Sequence, residues 1–177
     1  MARSAAPRPR RSSPAGTRRR YASGTPWEPT VGYSRALRVD SHVHVSGTTA
    51  TDPAGTIVGR GDPYRQTVQA LDNIERALSA LGSGRDAIVR LRIFVTDRDR
   101  VADVTRALGE RIRPIRPAMT LVAVAGLLDP AMLVEIEADA EDLPVRRTRG
   151  PNAARTRGTS TARGRRGRSI GLKTPKE

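Results

Sequence analysis

The basic residues of this chain are concentrated at its two ends, which limits the part of the chain that can fold. Residues 1–26 contain seven Arg and no acidic residue, and residues 145–177 contain nine Arg and two Lys against one Glu. Both segments consist mainly of Arg, Ser, Pro, Gly and Ala, so they have too few large apolar side chains to offset chain entropy. We therefore predict disordered basic tails over residues 1–26 and 145–177, and one folded domain over residues 27–144.

The predicted domain is slightly acidic, with 14 Arg against 17 Asp and Glu, although the whole chain carries a formal charge of +14. The Arg runs of the tails can bind RNA or DNA through counterion release. More often such runs are only solvated, and with Tyr21 as their one aromatic residue these tails do not offer a surface on which bases stack. We expect at most weak nucleic-acid binding, through the tails.

Several other classes of protein are excluded by composition. Without Cys the chain has no disulfide framework and no thiol nucleophile. No apolar run approaches the roughly 20 residues that span a bilayer, so we expect no membrane partner. The first residues are Arg- and Ser-rich like a transit peptide, but Pro7, Pro9 and Pro14 interrupt the amphipathic helix that such a peptide needs. We expect a cytoplasmic protein, and we expect no cofactor, since the glycine-rich segment 55–61 lacks the Lys-Ser/Thr ending of a phosphate loop.

Hydrophobic periodicity in the middle segment predicts five strands. Alternating or apolar runs of strand length are typical of β-structure. The predicted strands are Ala36 to Val39, His42 to Ser46, Asp86 to Thr96, Ala118 to Ala125, and Met132 to Ala140.

Two helices are predicted between these strands. Asp62 is a good N-cap and Pro63 suits the first helical position, while Gly82 ends the first helix. The apolar stripe of this helix is Val68, Leu71, Ile74, Leu78 and Leu81. A second helix begins after the caps Asp97 and Asp99 and ends before Pro114. Its stripe is Val101, Val104, Leu108 and Ile112.

The resulting order, ββ-α-β-α-ββ, predicts an α+β fold in which two helices cover one face of a sheet. The opposite face mixes apolar and charged residues, so it suits neither free solvent nor a closed core. An oligomer that closes this face and leaves polar clefts between subunits resolves the conflict. The residues expected there are His42, His44, Ser46, Arg90, Arg92, Phe94, Met119, Leu121, Glu135 and Glu137.

Six stretches of the middle segment form a characteristic set: VGYSRA (31–36), HVSGTT (44–49), QTVQALDNIERAL (66–78), RIFVTDRD (92–99), RPAMT (116–120) and LVEIEADA (133–140). Together they resemble the RidA/YjgF family, in family order and spacing. The resemblance implies a chorismate-mutase-like mixed sheet, with two helices on one face, that assembles as a homotrimeric barrel with three small-molecule clefts at subunit interfaces. For typical members it also implies hydrolysis of reactive enamines and imines made by pyridoxal-phosphate enzymes.

The resemblance also implies a missing substrate anchor. In typical members a motif similar to RPARS supplies an arginine whose planar fork binds the substrate carboxylate. Met119 stands at that position here, and methionine cannot bind an anion, although Thr120 keeps the hydroxyl that follows. Apart from the resemblance, Met119 reads as a core-filling residue at a trimer seam. Either interpretation places deamination of imino acids in doubt for this chain.

Other cleft residues of the family are matched. Glu135 matches a glutamate that positions the attacking water, and Tyr33 matches a cleft tyrosine. Ser46 and Gly47 match a pair whose backbone faces the ligand, and Thr105 stands where an asparagine is common. These residues define the predicted substrate cleft.

The same residues also have plainer interpretations. Glu135 on a sheet face also suits a cross-strand ion pair with Arg90 or Arg92. Strand alternation places Arg92 on the cleft face, where it either replaces the missing anchor or, more commonly for sheet charges, pairs with Glu135 or Glu137. Tyr33 equally suits a half-buried aromatic position.

Two histidines show metal-ligand spacing. His42 and His44 share one strand face, but no third ligand lies nearby in the sequence, so we predict no metal site.

Three functions remain open at this point. The first is hydrolysis of a small reactive metabolite, of the enamine or imine deaminase type. The second is binding of a small metabolite by a non-catalytic trimer. The third is endoribonuclease or translation-inhibitor activity, which ranks last because the folded part is acidic and both histidines lie on one strand.

Overall fold

The computed structural model describes residues 16–143, which form a single mixed sheet with helices packed against it. The strands are β1 (Arg18–Tyr21), β2 (Ala36–Val39), β3 (His42–Thr48), β4 (Ile88–Val95), β5 (Ala118–Ala123) and β6 (Val134–Glu141). The α-helices are α1 (Trp27–Val31), α2 (Pro63–Ala80) and α3 (Val101–Ile112). The predicted tail segments 1–15 and 145–177 lie outside the described residues. No helix within residues 16–143 has the length and apolar character needed to cross a membrane.

The strand order is β1-β2-β3-β6-β4-β5, so the last strand of the sequence lies in the middle of the sheet. Every neighbouring pair is antiparallel except β4 and β5, which run parallel. The predicted α+β fold with a mixed sheet is therefore confirmed.

The core lies between the sheet and helices α2 and α3. Along β6 the alternate residues Val134, Ile136, Ala138 and Ala140 are buried. The predicted stripe of α2 supplies Leu71, Ile74 and Leu78, and α3 supplies Val104, Leu108 and Ile112. The start of α2 is also as predicted, because the Asp62 carboxylate accepts a hydrogen bond from the Arg65 N–H at 3.0 Å.

Two polar side chains of α2 fix the loops near one end of the sheet. The fully buried Gln66 donates to the carbonyl of Ala131 at 2.7 Å and accepts from the N–H of Leu133 at 2.8 Å. The Asn73 amide donates to the carbonyls of Thr49 and Thr51 at 3.0 and 2.8 Å. The loop after β3 and the approach to β6 are thus held to one helix.

The predicted disorder of residues 1–26 is wrong for the segment that forms β1. This strand pairs antiparallel with β2. Arg19 donates to the carbonyls of Leu81 and Ala80 at 3.4 and 3.5 Å, where the C-terminus of α2 leaves carbonyls without helical partners. An arginine-rich strand is therefore held partly by charge, which a hydrophobicity argument does not detect.

The predicted alternation of β4 is wrong at its first residues. Strict alternation back from Leu91 predicts Val89 on the apolar face and Ile88 on the polar face, yet Ile88 is buried and Val89 is 46% exposed. The pairing of β4 with β6 shifts between Ile88 and Arg90, so Val89 forms a bulge. The extra residue reverses the faces of Ile88 and Val89 and leaves the rest of the strand as predicted.

The predicted face of Met119 and Leu121 is also wrong. Met119 pairs with Leu91 and Leu121 with Ile93, and both β4 partners point into the core. Cross-strand neighbours share a face, so Met119 and Leu121 lie on the helix side of the sheet. Thr120, in register with Arg92, lies on the opposite face. The sequence pattern of β5 is apolar on both sides, so it does not reveal the register.

Arg38 links strand β2 to Asp142 and to the C-terminus of α2, and we expect its loss to weaken the fold. Its guanidinium lies 2.6 Å from Asp142 and donates to the Leu81 carbonyl at 3.2 Å. We expect Arg38→Met to lower the free energy of unfolding by about 1–2 kcal/mol, because Asp142 and the helix end lose a charged donor. Urea unfolding measures this change.

The control is Arg85→Met, since Arg85 pairs with Glu75 at 3.3 Å and is 42% exposed. Exposed pairs contribute little, so this variant should change stability by less than about 0.5 kcal/mol. Equal losses in the two variants would contradict the importance assigned to Arg38.

Candidate functional site

Glu135 is an acidic side chain that β6 directs away from the core. Its neighbours Val134 and Ile136 are both fully buried, so strand alternation turns Glu135 to the outer face of the sheet. Phe94 is its cross-strand partner on β4, and Glu135 itself is half-buried. The strand register thus places a carboxylate over an otherwise partly apolar surface.

Gly47 lies directly against the carboxylate of Glu135. A Cβ atom built on Gly47 would lie 1.9 Å from Glu135 Oε1, which is closer than any side chain permits. The ladder between β3 and β6 is irregular between Val45 and Thr48, so Gly47 sits where the regular pairing is interrupted. Glycine at this position therefore makes room for the carboxylate.

The environment of Glu135 favours its protonated form. Burial raises its pKa above the ordinary value of 4.5, the charge of Glu137 raises it further, and the charge of Arg35 lowers it without cancelling the rise. Within residues 16–143 no group donates a hydrogen bond to the Glu135 carboxylate. A half-buried carboxylate without a protein partner, and with a raised pKa, suits a general base that holds a water molecule.

Arg35 connects the backbone around Gly47 with Tyr33. Its guanidinium donates to the carbonyl of Gly47 and, at 2.9 Å, to the Tyr33 hydroxyl. Its Nε lies 3.5 Å from a carboxylate oxygen of Glu28. Sequence reasoning did not select Arg35, and its one signal was its position inside the VGYSRA stretch.

Glu28 anchors Arg35 from the core side. This carboxylate is 4% exposed, and it accepts from the Ser23 hydroxyl at 2.7 Å, the Ser23 N–H at 3.1 Å and the Gly24 N–H at 3.2 Å. Burial works against ionisation, but the hydrogen bonds from Ser23 and Gly24 and the charge of Arg35 together hold the pKa of Glu28 below its ordinary value. Glu28 therefore stays charged and fixes the guanidinium. The composition of this segment gave no sign of such a role.

The structure brings three predicted site residues together and leaves the others apart. Glu135 contacts Gly47, and Arg35 links Gly47 to Tyr33. The Ser46 hydroxyl instead donates to the Ser34 carbonyl at 2.9 Å, so it is occupied by backbone.

The remaining predicted residues lie farther from Glu135. Met119 and Thr120 are on β5, which β4 separates from β6. Within one chain they are not part of the Glu135 site, and Met119 lies on the other face of the sheet. Thr105 is exposed on α3, where its hydroxyl donates to the Ala102 carbonyl at 3.1 Å.

Arg92 occupies a position that matches the ion-pair interpretation. Its guanidinium lies 3.4 Å from Glu137 and 3.3 Å from Asp139. His44 Nδ1 lies 2.8 Å from Asp139, and the rings of His42 and His44 stack with centroids 6.5 Å apart. In the described part of the chain, no three His, Cys, Asp or Glu side chains are grouped as metal ligands. These charges pair along the outer face, in contrast to Glu135.

A cavity of about 200 Å³ lies beside Gly47 and Arg35 on the side of α2. Its walls come from the loop before α1, the end of β3 with the loop that follows, and helix α2. Sequence reasoning missed this cavity, because it forms only when α2 packs beside both loops. The uncharged polar residues of the wall include Ser23, Thr25, Thr48, Thr49, Thr51 and Asn73, and the charged ones are Arg35, Asp52 and Arg76.

Comparisons with known proteins agree with this fold. The family model described as Endoribonuclease L-PSP matches residues 25–142. The Streptomyces coelicolor protein SCO2049 is 37% identical over 122 residues, which cover 69% of this chain and 90% of that protein. The Pyrococcus horikoshii RutC family protein PH0854 is 28% identical over 113 residues, or 64% of this chain and 89% of that protein.

Solved structures show the same architecture. The crystal structure of Rv2704 from Mycobacterium tuberculosis, a member of the YjgF/YER057c/UK114 family, is 40% identical. It aligns with a TM-score of 0.66 over 71% of this chain and 100% of that one. The match of the family model over most of the folded residues and the likeness to Rv2704 lead to one conclusion: this chain belongs to the endoribonuclease L-PSP family, the family also named YjgF/YER057c/UK114.

Proposed function

We propose that this protein is a homotrimeric, RidA-like hydrolase that acts on a small reactive metabolite of the imine or enamine type. The substrate binds in clefts between subunits, and Glu135 positions the attacking water. The observation that carries the proposal is the half-buried Glu135 carboxylate, which has a raised pKa and lies against Gly47, where no side chain fits.

The reaction requires few groups from the protein. Water adds to the carbon of the C=N bond while one of its protons passes to the Glu135 carboxylate. The proton then moves to nitrogen, which gives a carbinolamine. Its hydroxyl group next gives its proton to Glu135, which passes it to nitrogen as the C–N bond breaks with its electron pair on nitrogen, so that ammonia and a carbonyl compound are released. A base with a raised pKa accepts a proton more readily near neutral pH, and burial shifts the pKa of Glu135 in this direction.

The other cleft residues have binding roles in this proposal. Thr120 and the backbone of Gly47 hold polar groups of the substrate, and Tyr33 forms part of the wall. Met119 offers no cation, so the substrate either lacks a carboxylate or has it held by another residue. Met119 lies on the helix face of the sheet, whereas Glu135 lies on the outer face. In this proposal Met119 can therefore approach a cleft between subunits only from the free edge of β5.

The sheet itself supports assembly of several copies. Among the described residues, strand β5 pairs only with β4 and leaves an open edge. Met119 is 47% exposed and Val122 is 41% exposed on this strand, which is an unusual surface for a soluble monomer. Three copies that cover β5 and the outer face bury these side chains and bring Thr120 of one chain near the site of another.

Binding of a small metabolite without catalysis is the second candidate. It is favoured by Met119, which removes the anchor that typical members use. The Escherichia coli protein TdcF, solved with bound serine, is 25% identical and aligns with a TM-score of 0.58. That structure shows a small ligand bound by a protein of this fold.

We expect Glu135→Gln to abolish most of the activity. Ammonia release from freshly generated imines of several amino acids measures the turnover, and loss of a general base should lower kcat by at least about 100-fold. The matched control is Glu137→Gln, on the same strand face but paired with Arg92, which should change kcat by less than about threefold. Equal effects of the two variants would exclude Glu135 as the base. Ligand-induced thermal shifts without any ammonia release from the unaltered protein would favour the second candidate.

The same variant should stabilise the fold at neutral pH. Because the pKa of Glu135 is raised in the folded state, its ionisation costs stability as the pH rises through that pKa. We therefore expect Glu135→Gln to raise the melting temperature at pH 7 by on the order of 2 °C, with no gain near pH 4.

Glu28→Gln should have the opposite effect on the melting temperature, since the pKa of Glu28 is lowered in the folded state. Its stabilising charge is present above the unfolded pKa and is lost as the pH falls through the folded pKa. Glu28→Gln should therefore lower the melting temperature at pH 7, and in acid its melting temperature should approach that of the unaltered protein.

For the first of these two variants, a loss of stability of Glu135→Gln at pH 7 would contradict the desolvated environment assigned to Glu135.

The assembly is tested by sedimentation velocity of the full chain at micromolar concentration. We expect one species with the mass of three chains, because assembly buries the open edge of β5 and the apolar side chains that a monomer leaves exposed. A stable monomer would remove the inter-subunit cleft from the proposal.

A further inference from the structure

We propose that the cavity between α2 and the loops before α1 and after β3 is a second binding site, for a free α-amino acid with a small polar side chain. This site is separate from the one at Glu135 and does not depend on the hydrolase proposal. It is defined by Thr25, Arg35, Thr51, Asp52 and Arg76.

The cavity has the size of a small metabolite. Its volume of about 200 Å³ compares with the roughly 30 Å³ that one water molecule occupies in the liquid, so several waters or one amino acid fill it. Asn73 holds one wall in place through its hydrogen bonds to Thr49 and Thr51, at 3.0 and 2.8 Å. The site is therefore formed before a ligand binds, which lowers the entropic cost of binding.

Two charges of opposite sign face this cavity and lack an ionic partner among residues 16–143. Arg76 donates to Asn73 Oδ1 at 3.1 Å, and no carboxylate of the described residues lies within ion-pair distance of it. Asp52 uses one oxygen, Oδ1, for the N–H groups of Ala54 and Thr56 at 2.9 and 2.8 Å. Its second oxygen has no protein donor in this range, so it is available to a cation.

The third cavity charge is already balanced. Arg35 lies 3.5 Å from the ionised Glu28 and spends donors on Gly47, Thr48 and Tyr33. The charges left for a ligand are thus one cation and one anion. A zwitterion, with its carboxylate toward Arg76 and its ammonium toward Asp52, matches this pair, whereas a simple anion or cation satisfies one charge only.

The wall beside these two charges also carries polar side chains. Thr49 and Thr51 line it together with Asn73, so the side chain of the ligand should be polar as well.

Calorimetric titration of the full chain with L-asparagine tests the site, with two ligands that each lack one charge. Succinamate is the same molecule without the ammonium group, and 3-aminopropanamide is the same molecule without the carboxylate. We expect L-asparagine to bind with a Kd of about 1 mM or lower, and each truncated ligand to bind at least about tenfold more weakly. Equal binding of L-asparagine and either truncated ligand would overturn the proposal, as would no binding at 50 mM.

Two variants identify the anchors. Arg76→Gln should weaken L-asparagine at least about tenfold and leave 3-aminopropanamide unchanged, because that ligand has no carboxylate. Asp52→Asn keeps the oxygen that accepts the two turn N–H groups, so the loop should fold as before. It should weaken L-asparagine by a similar factor and leave succinamate unchanged. Equal losses for all ligands in either variant would indicate a disturbed cavity and contradict the assigned anchors.

Glu135→Gln should leave L-asparagine binding intact. Binding lost in Glu135→Gln but kept in Arg76→Gln and Asp52→Asn would place the amino acid at the Glu135 site and overturn the second site.

Discussion

Strand β6 lies between β3 and β4 in the middle of the sheet, and both the core and the candidate site depend on this position. It is the last strand of the described chain, yet it pairs with β3 on one side and β4 on the other. Its inward residues complete the core beneath α2, while its outward residues are Glu135, Glu137, Asp139 and Glu141. A shift of one residue would exchange these two sets, so core packing fixes the register and, with it, the place of each carboxylate.

The carboxylates of β6 differ in their partners. This difference distinguishes the carboxylates that stabilise the sheet from the one that is available for a reaction. Glu137 and Asp139 pair with Arg92, and Asp139 also contacts His44. Glu135 faces Gly47 and Phe94 and has no such pair among the described residues. Keeping a charge in this place opposes stability, which is common where a side chain serves a reaction instead of the fold.

The sequence predicts the elements better than it predicts their contacts. Asp62, Pro63 and the stripe of α2 are local signals, and the helix starts and packs as they indicate. The bulge at Val89 and the register of Met119 depend on pairing with other strands, so local alternation misplaces both. Glu135 and Gly47 came from the family resemblance, whereas Arg35, Glu28 and the cavity beside α2 depend on residues far apart in the chain. Arg19 shows the same limit, because its role depends on the carbonyls at the C-terminus of α2, which lie far from it in the sequence.

The environment of Glu135, which β6 and Gly47 desolvate beside Glu137, is tested by titration of its own carboxyl group. Carbon-detected NMR of this side chain in the full chain gives the pKa of the single group. We expect a midpoint above the ordinary value for glutamate, and we expect it to fall when Glu137 is replaced by Gln, because one source of the rise is removed. A midpoint at or below the ordinary value, unchanged in the Glu137→Gln variant, would contradict this environment.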